Sequence, residues 1–338
     1  VIHQLRLRNF KGVVEGEAEL DKLTILVGPN NSGKTTILEA LFLAPNPLRQ
    51  VPYVPTTAVQ LLLEYHKTLS EKGYAFLLNK YIANNMVIKV DDRELIFIKD
   101  IGSGIGIYTS HLPPGYVSTT RKFGEREFFH LGYLHPDGNV EVRLDVQIAN
   151  NTLLLSTKLA KYAHEYLQSR WIEISNTRAP ALISREVSRF VSEEYVNVTA
   201  EPFMAGSMTF YAMLADGTRI RLSDLGAGVH LYVVNRLLYE HYRPDVVLWD
   251  DLETHFNPRL LTHVAEWFAD LVEEGKQVIV STHSLEVVET LTAFVEDAAV
   301  LLTSLRDGKL KVRKLGPKEL EEWAKAGIDP RYAEALLL

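Results

Sequence analysis

Three rhythms of apolar and polar positions divide this chain. Apolar residues alternate with polar ones over residues 2–8 and again over 13–20, which predicts two strands joined by a turn at Asn9-Phe10-Lys11-Gly12. Residues 23–27 then form an unbroken apolar run, as a strand covered on both faces requires, and a helical pattern occupies 34–43. Pro45, Pro47, Pro52 and Pro55 end that first pattern, so a boundary is expected near residue 45. From 46 to 204 the rhythm is mixed. A helix is expected over 57–70, short alternating stretches are separated by turns at Asp91-Asp92, Pro113-Pro114-Gly115 and Asp137-Gly138, and helices are expected over 158–168 and 184–192.

The last third returns to regular order. After a hairpin at Asp216-Gly217 come a helix (229–241), an apolar strand (246–249), a helix (258–272), a strand (277–280) and a helix (284–291). In the middle helix Leu260, Leu261, Val264, Trp267, Phe268 and Leu271 share one face, and Asn257 before Pro258 reads as an N-cap followed by a first-turn proline. A strand (298–302), a hairpin at Asp307-Gly308 and two short helices follow. This alternation predicts an α/β fold with a parallel-sheet core lobe from residues 1–45 and 205–338, and an inserted α+β lobe from 46–204.

Composition narrows the class. The chain has 338 residues, 46% of them hydrophobic and 23% charged, which suits a globular protein with a large core. No apolar run is long enough to span a membrane, and the first ten residues lack the apolar stretch of a secretory signal, so a cytoplasmic location is expected. The absence of cysteine removes disulfides and thiolate chemistry. A net charge of −7 gives no overall attraction to nucleic acid; Arg121-Lys122 with Arg126, and Arg178, Arg185 and Arg189, read as solvated basic faces.

The chemistry lies at the ends of the apolar strands. Gly28-Pro29-Asn30-Asn31-Ser32-Gly33-Lys34-Thr35-Thr36 fits G-x-x-x-x-G-K-[ST] between a strand and a helix. Its glycines let backbone N–H groups close on a phosphate, and the helix directs its positive end at the same anion. This is a P-loop: Gly28, Asn30, Asn31, Ser32, Gly33, Lys34, Thr35 and Thr36 are expected to hold a nucleoside triphosphate, with Lys34 on the β and γ phosphates and Thr35 on Mg²⁺. The strand 246–249 ends in Asp250 and Asp251, which puts Asp250 forward as the second Mg²⁺ ligand and Asp251 as the base that orients water. Thr282-His283-Ser284 ends the next strand, so His283 is expected at the same sheet edge, beside the γ-phosphate or the water. Lys11 has two readings, an approach to the nucleotide and a solvated turn lysine.

Asn9-Phe10-Lys11, Gly28 to Thr36, Asp250-Asp251-Leu252-Glu253-Thr254-His255-Phe256-Asn257-Pro258 and Ser281 to Ser284 together resemble the ABC-type AAA ATPases of the SMC, RecF and OLD group. The resemblance covers about residues 1–45 and 205–300. It implies an ATP-dependent homodimer with two ATP molecules between the subunits, and Mg²⁺-dependent hydrolysis. The family's catalytic Glu is Asp251 here, one methylene shorter, which implies slower turnover. Its signature loop reads Leu225-Gly226-Ala227-Gly228-Val229-His230, preceded by Ser223, so Ser223, Gly226, Ala227 and Gly228 are expected to bind the γ-phosphate held by the partner. Gln60 and Gln147 are candidates for the family's switch glutamine, and neither is assigned. DNA-associated repair or defence, and a separate effector such as a nuclease, are implied by the resemblance alone. Other readings are a transporter ATPase subunit, which the degenerate signature disfavours, and a GTPase or small-molecule kinase, which the late acid pair and histidine do not suit.

Overall fold

The computed structural model describes residues 1–55, 57–204 and 206–329. The chain opens with β1 (Gln4–Phe10), β2 (Val13–Glu19) and β3 (Leu23–Val27), then α1 (Lys34–Leu43) and α2 (Ala58–His66). A meander follows: β4 (Asn85–Val90), β5 (Arg93–Lys99), β6 (Ile105–Thr109), β7 (Thr120–Phe123), β8 (Arg126–Leu134) and β9 (Val140–Val142). Next come β10 (Thr152–Leu155), α3 (Ala160–Ser169), α4 (Trp171–Ser175), α5 (Ala179–Ser188), β11 (Tyr195–Phe203), β12 (Ser207–Leu214) and β13 (Arg219–Arg221). The rest is α6 (Ala227–Tyr242), β14 (Val246–Trp249), α7 (Pro258–Glu273), β15 (Gln277–Thr282), α8 (Leu285–Phe294), β16 (Ala299–Arg306), β17 (Lys309–Leu315) and α9 (Pro317–Ala326). The second of the two expected terminal helices lies outside the described residues.

The mixed α/β fold is built on one large sheet of order β10-β14-β15-β3-β16-β17-β2-β1-β4-β5-β6-β8-β7. Its first five strands are parallel, and they are the apolar runs. β3 sits between β15 and β16, with Leu23, Ile25, Leu26 and Val27 buried, as a strand with both faces covered must be. Beyond β16 the neighbours are antiparallel except for a short parallel contact between β17 and β2.

The segment 46–204, expected as an inserted lobe, feeds both ends of this sheet. β4 pairs with β1 and carries the meander outward, while β10 pairs in parallel with β14 at the opposite edge. Residues 152–155 therefore belong to the parallel core, and their triple leucine is buried. α5 begins earlier than its apolar spacing suggests because Pro180 occupies its first turn, where a proline is favoured.

One hydrophobic core runs through the molecule, with a small satellite of Ile96, Tyr108 and Phe128 under β5 to β8. α1 lies against β10, β14 and β15, and α7 against β15 and α8. α7 buries Leu260, Leu261, Val264, Trp267, Phe268 and Leu271, and the Asn257 side chain accepts from Leu260 N at 2.9 Å, so both its face and its cap agree with the sequence pattern. α3 and α5 pack on α6. β3, β14, β15 and β10 consequently end at one sheet edge, where ligands of open α/β sheets gather.

Candidate nucleotide site

At that edge, a cleft of about 420 Å³ is lined by residues 30–36 of the P-loop, Asp250, Asp251, His283, Lys11, Gly12, Tyr65, His66, Lys158 and Leu305. The loop is held open from beneath. Gly28 adopts φ +154°, and a Cβ there would lie 2.6 Å from the Thr303 carbonyl oxygen. Thr303 on β16 reaches the loop through its hydroxyl, 2.7 Å from Ser32 Oγ and 3.2 Å from the Val27 carbonyl oxygen. Gly33, at φ +93°, caps α1 without any side-chain bond to the helix N-terminus, so the first-turn N–H groups stay available to an anion.

Lys34 is 5% exposed and its ammonium donates to the Gly28 and Pro29 carbonyl oxygens, both at 2.9 Å. Burial holds it below the ordinary lysine range, against the pull of Asp251, Asp250 and Glu253. Asp250 is 3% exposed and is met by three hydroxyls: Thr35 at 3.0 and 3.1 Å, Ser281 at 2.5 Å and Tyr65 at 2.5 Å. No ammonium or guanidinium among the described residues pairs with this buried carboxylate. A hydroxyl and a carboxylate converging without a cation form the donor set a hard divalent ion takes, so Thr35 and Asp250 fit Mg²⁺. Among the described residues there is no group of three or more acids and histidines able to hold a metal alone, so phosphate oxygens would have to complete the shell.

Asp251 follows at φ +52°, its N–H donating to Ser281 Oγ at 2.9 Å and its side chain half exposed. Burial, then the charges of Asp250 and Glu253, push its carboxyl above the ordinary aspartate range, with His283 and Lys34 opposing. His283 Nε2 lies 3.8 Å from Asp251 Oδ1. Glu253 pins the strand end that carries this histidine: it accepts from His283 N at 2.7 Å and from Thr282 Oγ1 at 2.8 Å.

Lys11 lines the cleft, but its ammonium pairs with Glu39, a fully buried acid of α1 that also binds His66. Burial would raise the Glu39 carboxyl, yet Lys11 and His66 outweigh it and hold it below the usual range. Gln60 and Gln147 are absent from the cleft; Gln60 lies in the first turn of α2, with its amide oxygen 2.6 Å from Thr57 Oγ1. Ser223, Gly226, Ala227 and Gly228 do not line this chain's own cleft. Ser223 lies in a short 3-10 turn and Gly226, at φ +99°, opens α6 without a side-chain cap. Gly228 is a packing position: a Cβ there would come within 2.4 Å of the His255 carbonyl oxygen, in the turn after the acid pair. Of the basic faces, Arg126 pairs with Glu94 and Arg189 with Glu266, while Arg121 rests over Tyr108 and Phe123.

Local pattern gives no sign of Tyr65 or Lys158. Tyr65 has helical apolar spacing in α2 and reads as core, and Lys158 follows a strand whose partner lies about ninety residues further on.

Comparison with known proteins places both halves of this site in one class. Residues 1–107 match the family model described as "AAA ATPase domain", and residues 231–289 match that described as "AAA domain, putative AbiEii toxin, Type IV TA system". No curated protein matches the chain. Similar solved structures include an Smc head bound to the C-winged helix domain of ScpA (TM-score 0.49, 15% identity, covering 95% of this chain and 99% of that one). Others are an Smc head with an extended coiled coil bound to a ScpA domain derived from Pyrococcus furiosus (0.47, 14%, 96% and 98%) and the SMC head from Thermotoga maritima (0.44, 12%, 93% and 99%). Likeness at this level carries no functional weight. The two AAA matches fall on the P-loop half and on the acid-pair half of the cleft, and the motifs that fill it resemble those of the ABC-type AAA ATPases of the SMC, RecF and OLD group.

Proposed function

We propose that this chain binds ATP with Mg²⁺ and hydrolyses it, and that two copies close on each other around two nucleotides. The observation that carries the reading is the convergence of Thr35 and the buried, cation-free Asp250 beside the P-loop. Lys34 exchanges its two loop carbonyls for the β and γ phosphates, giving a desolvated ammonium an anionic partner. Thr35 and Asp250 hold Mg²⁺, which when bound neutralises charge on the phosphate oxygens. Asp251 accepts a proton from the attacking water as that oxygen bonds to the terminal phosphorus and the bond to the ADP oxygen breaks. Its raised proton affinity suits a base. His283 orients the Asp251 carboxylate or the water.

Dimer closure is supported by the position of Gly226 to Gly228, outside the cleft of their own chain at an uncapped helix N-terminus. A phosphate held by a second copy is the anion such a terminus accepts. A DNA-associated role and a separate effector are proposals from family resemblance, and a cytoplasmic location is a proposal from the sequence pattern. The description of the second family model favours defence over repair.

Calorimetry with ATP, with and without Mg²⁺, tests the site. Lys34→Ala is expected to abolish binding in a folded protein, and Asp250→Asn to remove the Mg²⁺ dependence of binding. Full turnover by folded Lys34→Ala would overturn the assignment.

A further inference from the structure

We infer that Lys158 is a second phosphate-binding cation of this cleft, one that engages the terminal phosphate of the nucleotide. The inference rests on the ATP reading above and adds a residue that neither the P-loop nor the acid-pair motif contains. Three lysines line the cleft, and their partners differ. Lys34 is held by the Gly28 and Pro29 carbonyl oxygens, and Lys11 by Glu39. Lys158 is exposed, makes no ion pair among the described residues, and has its Nζ 4.9 Å from the centre of the Tyr65 ring. A π face holds a cation in place while leaving its N–H donors unspent, so this ammonium is positioned but available to an anion.

Its location selects the phosphate. Lys158 lies just past the end of β10, the edge strand beside β14, and so emerges at the same sheet edge as Asp250. Tyr65, on which it rests, is buried and donates its hydroxyl to Asp250 Oδ2. The lysine is thereby tied, through Tyr65, to the acid that ends β14. Tyr65 acts as a positioning residue for both the carboxylate and the cation.

The test compares ATP and ADP affinity, both with Mg²⁺, by calorimetry on the full chain. Lys158→Ala is expected to weaken ATP binding on the order of tenfold, the worth of one charge-assisted contact, and to leave ADP within about twofold. Lys158→Arg should restore most of the ATP affinity, and Tyr65→Phe, which keeps the ring, should keep the ATP-to-ADP ratio. Equal losses for both nucleotides, or no loss in Lys158→Ala, would overturn the inference while Lys34-dependent ATP binding leaves the parent reading standing. A wild-type protein that binds no ATP would overturn the parent reading itself.

Discussion

Asp251 combines a left-handed backbone, a half-exposed carboxylate and acidic neighbours, and each bears on how it can be tested. Asparagine tolerates positive φ about as well as aspartate, so Asp251→Asn removes the base while leaving the turn intact. We expect it to bind ATP normally and to lose turnover by a factor on the order of 10²–10⁴. In the proposed role the carboxylate must be ionised to accept the proton of water, and burial beside Asp250 and Glu253 raises its pKa. Activity should therefore fall on acidification at a higher pH than an ordinary aspartate, at about 3.9, would give, and a kcat–pH profile reads this directly. An acid limb at or below the ordinary range would remove Asp251 from the base role, and full turnover by Asp251→Asn would pass that role to Glu253 or His283. The acids and the P-loop are legible in sequence because each follows an apolar strand. Tyr65 and Lys158 are not, because their roles arise from a helix and an edge strand that only the three-dimensional sheet brings to Asp250. For Lys11 the residue was legible and its partner was not: a buried acid of α1 claims it.

Among the elements, α6 carries the signature-like turn, and its first turn is fixed on two sides. On one side Gly228 abuts the His255 carbonyl oxygen. Since the obstructing atom is backbone, Gly228→Ala must displace the turn, and we expect a loss of about 1–3 kcal/mol in denaturant unfolding. Unchanged stability would show that the turn yields freely. On the other side His230 meets His164 of α3, Nε2 to Nδ1 at 3.3 Å, with Gln168 on the second nitrogen of His164 and Phe210 against its ring. Burial, aided by His230, lowers His164 to about 4. A histidine with a depressed folded pKa favours the fold above its unfolded value, near 6.5, and loses that contribution as pH falls toward the folded one. Stability should then decline between those limits by up to about 1.4 kcal/mol per pH unit, and His164→Gln should flatten the slope. A parallel decline in both proteins would show that other groups carry it. The helices of this region were legible from their spacing, whereas β10 was not: a run of three leucines has no periodicity to separate sheet core from insertion, and its pairing with β14 is long-range.

For the whole molecule, the consequence concerns assembly. The signature-like turn lies outside its own cleft, yet through Gly228 and His255 it is packed on the turn that follows Asp250 and Asp251. A phosphate brought to Gly226 and Ala227 by a second copy would press on the same rigid unit that holds the base. Two-fold symmetry makes the arrangement reciprocal, so closure should need ATP at both clefts and should be released when ATP is hydrolysed. Asp251→Asn with ATP and Mg²⁺ is thus expected to double its mass in light scattering, and with ADP or no nucleotide to remain at the ATP-free value. The turn itself can be challenged without unfolding it. Gly228 is unsuitable because it packs on backbone, but Ala227 is exposed at the first position of α6. A carboxylate is favourable at a helix N-terminus, so Ala227→Glu should leave the fold intact while repelling a partner's phosphate. In the Asp251→Asn background it should retain ATP binding in its own cleft and fail to double its mass. A double variant that still dimerises with ATP would remove the Gly226–Gly228 turn from the interface, while one that loses ATP binding would show that the turn serves its own chain's nucleotide.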